Sequence, residues 1–99
     1  MLLTMGLSSA WAQNDKDIKE LLKASGCMSC HGIDEKVVGP AFQAIAAKYA
    51  GQADAADTLA QSVRNGSRGK WGRIPMPPHA SLAADDLKTM TTWVMKQKP

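Results

Sequence analysis

Five consecutive residues, Cys27-Met28-Ser29-Cys30-His31, hold both cysteines of the 99-residue chain and one of its two histidines. Several chemistries use a Cys-x-x-Cys pair, and each asks something different of the rest of the sequence. A dithiol oxidoreductase mounts the pair on a βαβ framework that tunes the thiolate, and no stretch here alternates apolar and polar residues as a strand does. A structural zinc needs four ligands. Only Cys27, Cys30 and the histidines are on offer, and His31 follows Cys30 so directly that a tetrahedron requires an awkward turn. A disulfide between residues three apart closes too short a loop to constrain the chain. Cys-x-x-Cys-His satisfies one remaining chemistry. The two thiols add across the vinyl groups of a haem, and the adjacent histidine is fixed beneath the iron as an axial ligand.

The rest of the composition agrees. A chain of this length makes one small domain, which buries too little surface to be comfortable without a staple, a metal or a cofactor. Three Trp, one Tyr and one Phe make a thin core, to which a large flat cofactor adds apolar surface. The net charge of +3 is spread along most of the sequence, so a dedicated nucleic-acid binder is not indicated. The basic stretch "RNGSRGKWGR" is punctuated by glycine and runs into a proline loop, which argues against an RNA-binding segment.

The first residues read as an export segment. "MLLTMGLSSAWAQNDKD" is uncharged up to Asp15 and passes through Ala10-Trp11-Ala12, a small-x-small cleavage pattern. We expect residues 1–12 to be a signal peptide, although nothing basic precedes Lys16, and residues 13–99 to be the mature domain in the periplasm. The apolar run is far short of the ~20 residues of a spanning helix. An arm packed on a partner, or an uncleaved anchor, is the alternative for this segment.

Four amphipathic stretches follow. The first starts after Asn14, a good N-cap, carries Ile18, Leu21, Leu22 and Ser25 on one face, and stops at Gly26. The second has Pro40 near its first turn, Phe42, Ile45, Ala46 and Tyr49 on one face, and ends at Gly51. Ala56, Leu59, Ala60 and Val63 mark the third, which ends at Asn65-Gly66. The last is expected to start from Ser81, with Asp85 and Asp86 in its early turns, Leu87, Met90 and Val94 on its inner stripe and Trp93 at the stripe's edge. The fold class is therefore all-α.

A second axial ligand has to come from six methionines or His79. Met1 and Met5 lie in the export segment, and Met28 sits within the tether on the His31 side. Met90 and Met95 read as flexible core fillers. Met76 stands in "IPMPPH", where Pro75, Pro77 and Pro78 fix backbone angles and remove amide donors, a stiff mount for one side chain. His79 lies beyond the prolines and is the weaker choice.

"CMSCH", "VVGPAF", "NGSRGKWGRIPMPP" and "LKTMTTWVMKQK" occur in an order and spacing that resemble the short bacterial class I cytochromes c, of the c-551/c-552 type, over essentially all of residues 13–99. The resemblance implies a small monohaem fold, about four helices around one covalent haem c, in which the first and last helices cross. It implies thioethers at Cys27 and Cys30, axial His31 and Met76, a Pro40 carbonyl accepting a hydrogen bond from His31, and Trp71 bonding a haem propionate. Some members carry a basic residue facing the propionates where this chain has Ser62, which leaves Arg64 or Lys70 for that task. Others have Asn where this chain has His79.

Histidine and methionine together leave an iron no open position, so one-electron exchange is the expected activity rather than oxygen or peroxide chemistry. The expectation is a non-enzymatic, monomeric periplasmic carrier. It takes electrons from a membrane cytochrome complex and passes them, in transient encounters, to an acceptor of the cytochrome oxidase or nitrite reductase type. Nucleic acid and stable membrane insertion are not expected. A haem-based sensor, or a small cytochrome subunit of a larger redox complex, is the alternative reading.

Overall fold

The computed structural model describes residues 14–98. The expected export segment, residues 1–12, lies outside the described residues. Helix α1, Asp15–Ala24, begins where the Asn14 side chain accepts a hydrogen bond from the Asp17 amide at 2.9 Å. Asp15 and Asp17 in its first turn and Lys23 in its last complement the helix dipole. Gly26 then takes φ +85°, a conformation open to glycine at little cost, and the chain swings into a single 3₁₀ turn, Cys27–Ser29. Three further helices follow, α2 Phe42–Tyr49, α3 Ala55–Asn65 and α4 Ala84–Met95.

Helix α4 is the hub, packing against α1, α2 and α3. The core between them holds Ile18, Leu22, Phe42, Ile45, Tyr49, Leu59, Met90, Trp93 and Val94. Leu22 and Leu87 are the most completely enclosed large side chains, and burying each stabilises the fold by about 1.5–3 kcal/mol. The Trp93 indole stands edge-on to Phe42, with centroids 5.8 Å apart, and donates its N–H to Asp15 Oδ1 at 3.1 Å. That bond joins the first turn of α1 to the last turns of α4. A surface ion pair, Lys88 with Asp57 at 2.9 Å, links α4 to α3 but is well exposed, so it contributes at most about 1 kcal/mol.

The helical reading holds, and two details are corrected. Helix α4 begins at Ala84 rather than Ser81, because the Leu82 amide turns back to the His79 carbonyl and Ala83 is extended. Pro40, expected near the first turn of α2, stands just before its N-cap, Ala41. Trp93 lies inside the core rather than at its margin, where it is 4 % exposed. Among the described residues there is no strand; two isolated antiparallel pairs occur, His31 with Lys36 and Ser67 with Met76, and both belong to the site.

Candidate functional site

His31 is positioned from three directions. The 3₁₀ turn holds its backbone, whose amide donates to the Cys27 carbonyl at 3.0 Å. Its ring stacks on Phe42 at 5.2 Å and 18°. Its Nδ1 lies 2.7 Å from the Pro40 carbonyl oxygen. A carbonyl can only accept, so Nδ1 carries a proton, and in the neutral ring Nε2 is the nitrogen with the lone pair. Gly39 completes the cradle: a Cβ there would stand 2.7 Å from His31 Cε1, so only glycine lets the backbone pass this close to the ring. The loop that brings Gly39 there is tied down by the Val38 and Gly39 amides, both donating to the Cys30 carbonyl at 3.1 and 2.7 Å.

Both cysteines are free thiols in half-buried positions. Burial pushes the Cys27 thiol above its ordinary range and the neighbouring Cys30 adds to the rise, against a backbone hydrogen bond that pulls the other way. A redox-active dithiol or a zinc thiolate needs the opposite shift. No group of three or more His, Cys, Asp or Glu side chains among the described residues is placed to hold a metal ion.

Met76 is pinned through its backbone. Its amide donates to the Ser67 carbonyl at 2.7 Å, and its own carbonyl accepts from the Ser67 amide at 3.0 Å. Pro75 and Pro77 on either side offer no competing donor. The approach depends on Gly66, at φ +83°, where a Cβ would come within 3.0 Å of the Met76 carbonyl oxygen.

These two mounts open on one cleft of about 720 Å³. Cys30 and His31 enter it from the turn, Met76 from the proline loop, and Pro40 and Trp71 also line it. Phe42, Ile45, Tyr49, Leu59, Val63 and Val94 give it apolar walls. Cys27 flanks it on the same turn and packs against the core. Trp71 is partly exposed, with Lys48 Nζ 4.8 Å from its ring centroid. The basic side chains lining the cleft are Lys36, Arg68, Lys70 and Arg73, and no carboxylate is among the lining residues. Three of the exposed large apolar residues, Val38, Trp71 and Ile74, line the same cleft, the last 68 % exposed.

Other side chains singled out from the sequence lie elsewhere. Met90 is core, Met95 is half-buried against it, and neither reaches the cleft. His79 is also off the cleft; its amide donates to the Val63 carbonyl at 2.8 Å, and its Nδ1 is buried without a hydrogen-bond partner. Arg64 is exposed and does not line the cleft, whereas Lys70 does, with Nζ donating to Ser62 Oγ at 3.3 Å. The Phe42 stack, the Gly39 contact and the Lys48–Trp71 pair were not anticipated. The "GP" pair beside "VV" was their one sequence signal.

A helical shell around an apolar cleft, with a Cys-x-x-Cys-His turn and a methionine loop both opening into it, defines a protein built around one flat, covalently tethered cofactor. The cytochrome c family model matches residues 16–98. The chain is 50 % identical over 95 residues to cytochrome c-551 of Pseudomonas aeruginosa, covering 96 % of this chain and 88 % of that one. It is 45 % identical over 92 residues to cytochrome c-552 of Nitrosomonas europaea, covering 93 % and 86 %. The crystal structure of the Nitrosomonas protein superposes with a TM-score of 0.78 over 81 % of this chain and 99 % of that one. The chain belongs to the cytochrome c family, with the small all-α monohaem fold, one covalent c-type haem and a role in electron transfer. The cleft fits that group: its walls are apolar, Gly39 leaves room for the ring of His31, and the Pro40 bond engages Nδ1 so that Nε2 is the ring nitrogen left for a metal.

Proposed function

We propose that the protein is a periplasmic one-electron carrier, not an enzyme. His31 and Met76 would ligate its haem iron, and Cys27 and Cys30 would anchor the haem through thioethers. When bound, the haem supplies an iron that takes up and releases one electron. The observation that carries this reading is that one cleft receives both a histidine with its Nε2 lone pair free and a methionine held by two backbone hydrogen bonds.

Each side chain has a definable task. The Pro40 carbonyl orients the His31 ring and raises its basicity through Nδ1. The apolar walls would keep water from a bound haem iron. Trp71, which lines the cleft, would offer its indole N–H to a haem carboxylate. At the mouth, Val38 and Ile74 form a small apolar contact ringed by Lys36 and Arg73, a face suited to brief encounters with acidic redox partners. We assign the donor to a membrane cytochrome complex and the acceptor to the oxidase or nitrite reductase type. No helix of the described residues is long and apolar enough to cross a membrane.

A sensor that works by releasing its methionine is the second reading; the pairing with Ser67 between two prolines holds only the Met76 main chain, so ligand binding has to be tested directly. The test is Met76→Ala in haem-loaded protein. The variant should keep its covalent haem, lose the weak far-red ferric band of methionine ligation, and bind carbon monoxide in the ferrous state. An unchanged band, or carbon monoxide binding by the parent protein, would overturn the assignment.

A further inference from the structure

We propose that Lys70, held against Ser62 at the mouth of the cleft, is the cationic partner of the haem's carboxylates. The inference rests on the haem reading and goes beyond it by naming the residue that neutralises the group's anionic edge. A haem carries two carboxylates on the edge remote from the vinyl groups that cysteines capture. An ionised carboxylate taken partly out of water needs a charge or hydrogen-bond partner.

The four basic residues lining the cleft are not equivalent. Lys36 pairs with His31 through its backbone and so belongs to the tethered side. Arg68, Lys70 and Arg73 are all exposed residues of the loop that leads to Met76. Among these three, Lys70 is the one whose head group bonds a protein side chain among the described residues: Nζ donates to Ser62 Oγ at 3.3 Å, bridging the loop to α3, and both residues line the cleft. Its charge is not taken up by a protein carboxylate, since the one ion pair among the described residues is Lys88 with Asp57.

The local chemistry suits a carboxylate. An ammonium has three donors, and Ser62 occupies one. The Ser62 hydroxyl accepts from Lys70, so its own proton is available to a carboxylate oxygen. Trp71, next in sequence, also lines the cleft and is covered by Lys48 Nζ, which adds a second positive charge to this corner. Lys70 and Ser62 thus do jointly, from loop and helix, what a single long basic side chain on α3 would do alone.

The test is the pH dependence of the midpoint potential, measured on haem-loaded protein at low and high salt, with the far-red ferric band recorded in each sample. A nearby cation favours an ionised carboxylate, so removing it raises the carboxylate pKa. Lys70→Met should therefore move the carboxylate-linked step to higher pH by roughly one unit at low salt, and by less at high salt. Lys19→Met, which removes the same charge from the exposed face of α1, should leave the step in place. Ser62→Arg added to Lys70→Met should restore it. A Lys70→Met curve that superposes on the parent, an equal shift in Lys19→Met, or an arginine that fails to restore the step would each overturn the proposal. The far-red band separates this from the ligation itself: its absence from the parent protein would refute Met76, while its persistence beside an unmoved step would refute Lys70 alone.

Discussion

Replacing Gly39 by alanine tests whether the close passage of backbone and ring sets both stability and potential. The added Cβ would stand 2.7 Å from His31 Cε1 and 3.2 Å from both ring nitrogens. Ordinary carbon contacts lie near 3.5–4.0 Å, so ring or loop must retreat by about 1 Å. The ring has little freedom, being stacked on Phe42 and bonded to Pro40 at 2.7 Å. A retreat of that size takes the Nδ1–carbonyl bond past useful length. Overpacking costs about 1–3 kcal/mol and the lost bond about 1 kcal/mol. Gly39 is not in the left-handed region, so alanine recovers about 0.4–1 kcal/mol by restricting the unfolded chain. The net expectation is a loss of about 1–3 kcal/mol, read by guanidinium unfolding of the haem-loaded protein. The potential should rise as well, because an imidazole without its acceptor is a weaker donor to ferric iron. Gly51→Ala is the contrast: φ +86° makes it costly, but its Cβ meets nothing, so stability should fall with no change in potential. A Gly39→Ala protein with parental stability and potential would refute the reasoning.

Further expectations concern the rest of the molecule. Cys27→Ala with Cys30→Ala should yield a haem-free chain without a cooperative helical transition in circular dichroism, because the haem completes the core. Leu22→Ala, at a site only 2 % exposed, should cost about 2–5 kcal/mol in denaturant titration. Arg73→Glu should slow reduction of an acidic partner in stopped flow at low salt and converge with the parent at high salt. Ile74→Glu should slow it at every salt concentration, since it disrupts the apolar contact itself.

The helices were legible because each carries an apolar stripe at the helical period, as with Phe42, Ile45, Ala46 and Tyr49, all four of which are buried. The start of α4 was not. Ser81 resembles a cap, yet the turn through Leu82 and His79 sets the boundary, and Ala83 caps with no side chain at all. Cys27, Cys30, His31 and Met76 stood out in the sequence because adjacency and flanking prolines are one-dimensional signals. What holds two of them in place did not stand out. The pairing of Ser67 with Met76 involves one residue on each side, too short to leave an alternating pattern. The Phe42 stack on His31 joins residues eleven apart through a bend, and bends carry no periodicity. Lys70 could be named as an alternative to Arg64 from sequence, but only its place in the cleft lining and its bond to Ser62 separate them.

A cleft mouth bordered by Lys36, Arg68, Lys70 and Arg73, with no carboxylate among its lining residues, also governs how two copies of the molecule meet. Face to face, the apolar contact that brings cofactors close also brings these cations together, and like charges facing one another raise the energy of the encounter. Electrons then pass slowly between identical molecules at low salt and more freely as ions screen the repulsion. On the carrier role proposed above, a reduced molecule should keep its electron until it meets a surface of opposite sign.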